Sequence, residues 1–156
     1  MNKKFSKWRQ KTARTLKKWR KRYFPTHRER VLRYHLWLGK RGEQATAADL
    51  QARGYELLCS NYRYKKSELD LIMRYHGILC FMEVKTRRWK PGVVPADAID
   101  LRKEENVYKG GMGYLRQIGF PHVTCRFDIV EVFMMGRRPV KIRHLPGELL
   151  RHKEEK

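Results

Sequence analysis

The chain predicts an α/β domain: a central mixed sheet flanked by helices, in the order helix, three strands, helix, strand, preceded by a basic helical arm. Three observations predict it. From Gly39 onward, stretches of helical spacing alternate with short apolar runs of strand length. Two of those runs, Leu69 to Met73 and Ile78 to Val84, flank His76-Gly77, where the glycine accepts the positive φ of a tight hairpin turn. A breaker-rich loop and a long helical stretch then separate the third strand from the fourth. If that helix links parallel strands, it forms a right-handed crossover.

Taken in order, Gly42 to Arg53 reads as a helix stopped by Gly54. Thr46, Ala47 and Leu50 share its core side with Glu43, which lies in the first turn. An acid there is favoured by the helix dipole, and a functional role is equally open. Tyr55 to Tyr64 is the first strand, interrupted by Glu56 and Asn61, and the hairpin supplies strands two and three. The loop that follows holds Pro91, Gly92 and Pro95, and its basic run Arg87, Arg88 and Lys90 surrounds Trp89. Asp97 to Arg116 reads as a helix weakened or broken by Gly110, Gly111 and Gly113. Phe127 to Phe133 is a fourth strand and Val140 to His144 a fifth. The boundaries are an arm over 1–38, a domain over 39–146 and a frayed polar tail over 147–156.

Charge is the dominant global fact, with a net of +21. Residues 1–38 carry 14 Lys and Arg against the single acid Glu29, whereas the remainder carries 23 against 15. Such a balance calls for a polyanionic partner, most simply nucleic acid, with an anionic membrane surface second. Within the arm, Phe5, Trp8, Leu16, Trp19 and Tyr23 recur at helical spacing among Lys17, Lys18, Arg20, Lys21 and Arg22, and Pro25 ends the run. The arm can track phosphates while its aromatics stack on bases, lie on a membrane, or be a solvated tail that folds on contact. The apolar cluster Val31, Leu32, His35, Leu36 and Leu38 is expected to begin the packed domain. No run approaches the ~20 apolar residues of a membrane span. Cys59, Cys80 and Cys125 are odd in number and well separated, as expected of buried thiols in a reducing, cytoplasmic compartment, here nucleoid-associated.

The charged hairpin carries the chemistry. Its strands are apolar except for Asp70 and Glu83, with Glu68 and Lys85 at their ends, and such strands are usually buried on both faces. A turn centred between His76 and Gly77 sets Asp70 opposite Glu83 and Glu68 opposite Lys85. Facing like charges are destabilising, so two buried carboxylates there call for a cation or a shared proton. A divalent metal with oxygen ligands fits, and Lys85 could reach a phosphate or water on it. The plainer reading is a structural ion-pair cluster. Acid-x-Lys alone decides nothing, since Glu154 and Lys156 repeat it in the tail; the apolar flanks and the upstream Asp70 favour the metal.

Gly42-Glu43, Gly54-Tyr55, Asn61-Tyr62-Arg63, Glu68-Leu69-Asp70-Leu71-Ile72, Phe81-Met82-Glu83-Val84-Lys85-Thr86-Arg87, Lys103 and Arg126-Phe127-Asp128 occur in this order. As a set over residues 39 to 144 they closely resemble the bacterial YraN-like family of small proteins regarded as endonucleases. That family is similar to archaeal Holliday junction resolvases and belongs with the PD-(D/E)XK nucleases. The resemblance implies a restriction-endonuclease-like core in which Asp70 and Glu83 hold Mg²⁺ or Mn²⁺ and Lys85 serves catalysis. It implies that Glu43 matches the helix-borne acid of resolvase-like members, with Glu68 and Lys103 in support. It also implies a DNA substrate, branched or otherwise structured, and a homodimer where two strands are cut. Ser67 stands where a glycine is usual, and Glu104, Glu105 and the glycine cluster stand where the family is richer in Ala, Leu and Arg. The rival reading is a non-catalytic nucleic-acid-binding module of the same fold.

Overall fold

A computed structural model describes the backbone of residues 3–89, 101–119 and 122–150. The chain divides into two compact units, Met1–Trp37 and Leu38–Lys156.

The first unit holds helix α1, Lys3–Tyr23, and the start of α2, His27–Ala52. In α1 the side chains of Leu16, Trp19 and Tyr23 are exposed, and Trp19 lies 5.2 Å from Tyr23 and 5.9 Å from Phe24, ring to ring. The side chains of Phe5, Trp8 and Lys21 lie outside the described residues. Helix α2 begins fifteen residues before the expected Gly42. Its start is a capping box: the Glu29 N–H donates to Thr26 Oγ1 at 3.2 Å, and the Thr26 N–H donates to Glu29 Oε2 at 3.0 Å. Val31, Leu32 and Leu36 are exposed and form no core, so the packed domain begins at Leu38, which is buried.

The second unit is built on a five-stranded sheet in the order β1-β2-β3-β4-β5. The strands are β1 Glu56–Tyr64, β2 Ser67–Tyr75, β3 Ile78–Arg88, β4 Cys125–Met135 and β5 Arg138–Leu145. β3 and β4 run parallel and the other pairs antiparallel, so the sheet is mixed as predicted. Helix α3, Leu101–Gln117, joins the parallel pair. The hairpin register is the expected one for five pairs, from Tyr75↔Ile78 to Leu71↔Met82, and His76 (φ 47°) and Gly77 (φ 79°) both take left-handed conformations.

Helix α3 is continuous through Gly110, Gly111 and Gly113. Packing overrides their low helix propensity: a Cβ on Gly110 would meet Leu69 at 3.0 Å, one on Gly111 would meet Phe127 at 2.7 Å, and one on Gly113 would meet Tyr64 at 2.2 Å. The missing side chains let the helix lie directly on the sheet. Leu69, Ile72, Phe81, Val107, Phe127 and Ile129 form the core between them, joined by Leu149. Leu149 belongs to a 3-10 turn, Glu148–Leu150, so the tail packs past Gly147 instead of fraying there. Thr86, five residues beyond Phe81, points to the opposite face by the two-residue repeat of a strand. There it meets Gly42 of α2, at which a Cβ would lie 1.7 Å from Thr86 Oγ1. The two helices therefore cover opposite faces of the sheet.

Gly42→Ala is expected to cost about 1–3 kcal/mol through overpacking against the branched Thr86 side chain, read as a fall of several degrees in Tm. Adding Thr86→Ala should recover part of that loss. An unchanged Tm for the single variant would show that α2 does not rest on Thr86.

Candidate active site

The β2–β3 ladder stops just before the hairpin's charged residues. Leu71↔Met82 is its last backbone pair. On the other edge of β2, Ser60↔Leu71 and Tyr62↔Leu69 bracket Asn61, which takes a left-handed φ of 54° within β1. Asp70 thus lies at a gap in both ladders. Leu69 and Ile72 both join the core beneath α3, so the alternation of faces also slips across Asp70 and Leu71. The Asp70 side chain replaces the lost backbone acceptor: the Val84 N–H donates to Asp70 Oδ2 at 2.7 Å. The carboxylate therefore rests on the peptide that follows Glu83.

Glu83 is 2% exposed. It is engaged by the protein, yet its Oε1 is buried and accepts no hydrogen bond. Its parallel neighbour is Ile129, a member of the core under α3, which places Glu83 and Lys85 on the α3 face. Lys85 is half-buried and pairs in register with Glu131. Glu131, which sequence reading missed, is 7% exposed and accepts from Arg143 Nε at 2.8 Å. A row of Lys85, Glu131 and Arg143 thus runs across the sheet one step beyond Asp70 and Glu83. An acid and a base at matching positions of two adjacent predicted strands were the available signal.

Glu43 is half-buried on α2, and its Oε2 accepts from Asn61 Nδ2 at 2.9 Å. Through Asn61 it reaches the same gap in the sheet. Glu68 does not face Lys85 as the hairpin register extended outward would require. It is exposed and bonded to Arg63 of β1 at 3.1 Å, because the β2–β3 ladder has already ended. Among the described residues no group of three or more His, Cys, Asp or Glu converges as a metal cage. What converges is a pair, Asp70 and the Glu83 segment, with Lys85 two residues on.

The other predicted residues are scattered. Arg87 is half-buried and Arg88 exposed at the end of β3. Lys90 and the prolines after it lie outside the described residues, as does the side chain of Lys103 on α3. Lys17, Lys18, Arg20 and Arg22 are exposed on the arm. A cleft of about 550 Å³ between the β1–β2 turn and α3 adds Lys65, Lys66, Lys109 and Arg116 beside Tyr64 and Tyr108. Sequence reading missed it because its cations come from segments over 40 residues apart.

A second buried charge cluster is fully satisfied. Asp128, 0% exposed, accepts from Arg126 Nε at 3.0 Å and from the Gly147 N–H at 2.9 Å, and lies 2.9 Å from His144 Nε2. Arg126 Nη2 in turn donates to Tyr55 Oη at 2.9 Å. These bonds fasten β4 to β5, to the turn at Gly147 and to Tyr55, so the Arg126-Phe127-Asp128 motif is accounted for by structure.

Residues 42–132 match the family model described as "Uncharacterised protein family UPF0102". The chain belongs to the UPF0102 family. This is the YraN-like group that its ordered motifs resemble. A UPF0102 protein of Chlorobaculum parvum is 43% identical over 119 residues, which is 73% of this chain and 92% of the relative. One of Chlorobium phaeobacteroides is 35% identical over 105 residues, 67% and 83% of the two chains. One of Symbiobacterium thermophilum is 40% identical over 95 residues, 61% and 80%. The UPF0102 match contains Glu43, Asp70, Glu83 and Lys85 and begins after the basic arm. The names of the family and these relatives state no activity.

The cysteines of this UPF0102 chain are all free; Cys80 is buried, and Cys59 and Cys125 are partly buried. Burial, reinforced by the Asp128 charge, pushes the Cys80 thiol up from 9.0 to about 11. The folded state therefore holds that proton after the unfolded chain has lost it. The thiol's contribution to stability is complete below 9 and is lost as pH rises from 9 to about 11. Cys80 is expected to resist alkylation at pH 8 until the chain unfolds, and Cys80→Ala should flatten the alkaline loss of stability. Rapid labelling of Cys80 in the folded protein would contradict its burial.

Proposed function

We propose that this protein is a metal-dependent nuclease that hydrolyses phosphodiester bonds in DNA, with structured or branched DNA as its substrate. The observation that carries the reading is the Asp70 carboxylate seated on the peptide after Glu83, with Lys85 on the same strand face as Glu83. The donor set suits a hard divalent cation, because it is made of carboxylate oxygens, those of Asp70 and of the buried Glu83. Mg²⁺ or Mn²⁺ held by Asp70 and Glu83 would polarise the scissile phosphate and lower the pKa of a bound water.

The chain's own residues do the rest. Lys85 offsets negative charge on the phosphorane-like transition state or steadies the attacking water. Asn61 holds the Glu43 carboxylate at the gap, where it orients groups around Asp70. Arg87 and Arg88 at the end of β3, and the cations of the cleft beside α3, would contact flanking phosphates, with Lys90 following them in sequence. The arm adds sequence-independent affinity through Lys17, Lys18, Arg20, Lys21 and Arg22. Lys103 and Glu68 are supporting positions, and a homodimer would present two such sites to two strands. No helix among the described residues is long and apolar enough to cross a membrane.

The decisive experiment incubates the protein with labelled duplex, single-stranded, flap and four-way-junction DNA, with Mn²⁺ or EDTA. Lys85→Ala and Asp70→Asn are each expected to lower cleavage by at least about a thousandfold, the scale of losing a principal transition-state contact, while DNA affinity changes little. Cleavage by Asp70→Asn at the wild-type rate would refute the site. Tight binding with no cleavage of any substrate would instead favour the non-catalytic module.

Neutralising Lys17, Lys18, Arg20 and Arg22 to Gln tests the arm separately. The slope of log Kobs against log salt should fall by about 3 to 4 if all four meet duplex phosphates. An unchanged slope, with binding to anionic vesicles lost, would assign the arm to a membrane surface.

A further inference from the structure

The cleft between the β1–β2 turn and α3 offers more than phosphate contacts. Tyr64 pairs with Ser67 across that turn, so Lys65 and Lys66 alone form its loop. Lys65 takes a φ of 54°, a left-handed conformation that Asn or Gly adopts more readily and that hairpin loops usually give to them. The chain thus holds a cation at a strained turn position. Lys65 Nζ lies over the Tyr64 ring, 5.4 Å from its centroid, and Arg116 Nη1 donates to Tyr64 Oη at 3.2 Å. Tyr64 also packs on α3 at Gly113, where a Cβ would meet its ring at 2.2 Å. Tyr62 Oη, donating to Gln117 Oε1 at 2.9 Å, fastens the same end of α3 to β1.

On the helix side, Tyr108 and Met112 are four residues apart and share one stripe of α3, beside a second stripe of Lys109, Gly113 and Arg116. Tyr108 is 40% exposed although its ring lies 5.7 Å from that of Phe127, so it touches the core and still lines the cleft. Asn106 adds an amide that both donates and accepts. Lys109 is ion-paired with Glu105 at 2.7 Å. Among the described residues, Lys65, Lys66 and Arg116 have no carboxylate partner and no acid lines the cleft. Its volume of about 550 Å³ falls in the range of small-ligand sites. Cations alone would suit any polyanion. Cations around an exposed ring and a thioether suit a planar, largely apolar group tied to a phosphate, which is what an unpaired nucleotide presents. A base inside a duplex has both faces covered by its neighbours and offers none to Tyr108.

We infer that this cleft is a subsite for an unpaired nucleotide of a nucleic-acid strand, with the base against Tyr108 and Met112 and the phosphates at Lys65, Lys66 and Arg116. The inference rests on the reading of nucleic acid as the partner, and not on metal binding by Asp70 and Glu83. Ser67 of the cleft stands three residues before Asp70 on β2, roughly 10 Å along the strand. A nucleic-acid strand seated in the cleft would lead on to the candidate site, and the cleft would select substrates with a single-stranded segment beside the cut.

The test measures affinity by fluorescence anisotropy in EDTA, on the full chain, for labelled oligothymidine, a blunt duplex and a duplex with a single-stranded tail. Tyr108→Leu removes the ring but keeps apolar bulk beside Phe127, and leucine is a good helix former, so the fold should hold. It should weaken binding of the oligothymidine and the tailed duplex by at least about fivefold and leave blunt-duplex binding unchanged. Tyr108→Phe, which keeps the ring, should bind as wild type. Replacing Lys65 and Lys66, both exposed on the turn, by Gln should lower the slope of log Kobs against log salt for the oligothymidine by about 1.4. Equal losses on oligothymidine and blunt duplex in Tyr108→Leu, or wild-type affinity for both single-stranded ligands, would overturn the subsite and leave nucleic-acid binding standing. An unchanged salt slope in the lysine variant would overturn it as well. Failure of the wild type to bind any of the three DNAs would overturn the nucleic-acid reading together with the subsite. Because binding is read without metal, a protein that cut no DNA would still return either result.

Discussion

The hydrogen bond from the Val84 N–H to Asp70 is the constraint on which the candidate site depends. An antiparallel ladder ordinarily satisfies every inward backbone group by symmetry. Here the ladder runs from the hairpin turn to Leu71↔Met82 and ends, and a side chain takes over as acceptor for the next strand. That substitution lets β2 and β3 separate without stranding a buried N–H, which would cost about as much as the bond is worth. It also holds the Asp70 carboxylate in one place. On the other edge, Asn61 accommodates the same separation by adopting a left-handed conformation, which Asn tolerates better than most residues. The opened sheet, and not a loop, is what brings Asp70 of β2 and Glu83 of β3 to one place on a rigid frame.

Much of this was legible in the sequence, and the failures have physical reasons. The His76-Gly77 turn fixed the hairpin register because a two-residue loop leaves few alternatives, and five pairs follow it. The same rule failed outward of Leu71, since it assumes an unbroken strand and cannot anticipate a side chain replacing a backbone acceptor. Glu68 was therefore matched to Lys85 when it meets Arg63. The start of α2 was missed because burial was the criterion. Its first turns bury little, and the signal was the Thr26-x-x-Glu29 cap. In α3, propensity marked Gly110, Gly111 and Gly113 as breaks, whereas clearance over Leu69, Phe127 and Tyr64 is visible only once the sheet lies beneath the helix.

The glycines set the height of α3 over the sheet. A helix with alanines at those positions would have to rise to clear Leu69, Phe127 and Tyr64. The close approach brings Phe81, Phe127 and Leu69 against the α3 backbone and closes the core beneath it. The glycine cluster, a departure from the family's usual composition, is thus what lowers the helix onto the sheet.

The charge distribution sharpens the problem that a cation solves. A polyanion is drawn to the chain by a net of +21, most of it in the arm. Yet the stretch of sheet proposed to meet the scissile phosphate holds Asp70 and Glu83, with Lys85 a nearby basic group on the same strand face as Glu83. Left bare, those acids would repel the backbone that the rest of the surface attracts. On the proposed reading the surrounding basic residues would supply affinity and steering, and a small, doubly charged ion with a preference for oxygen would turn this acidic spot from a repulsive feature into the point of closest phosphate approach. A purely binding module would gain nothing from bringing two carboxylates together where its ligand must lie, and this is the strongest argument for the proposed chemistry at that spot.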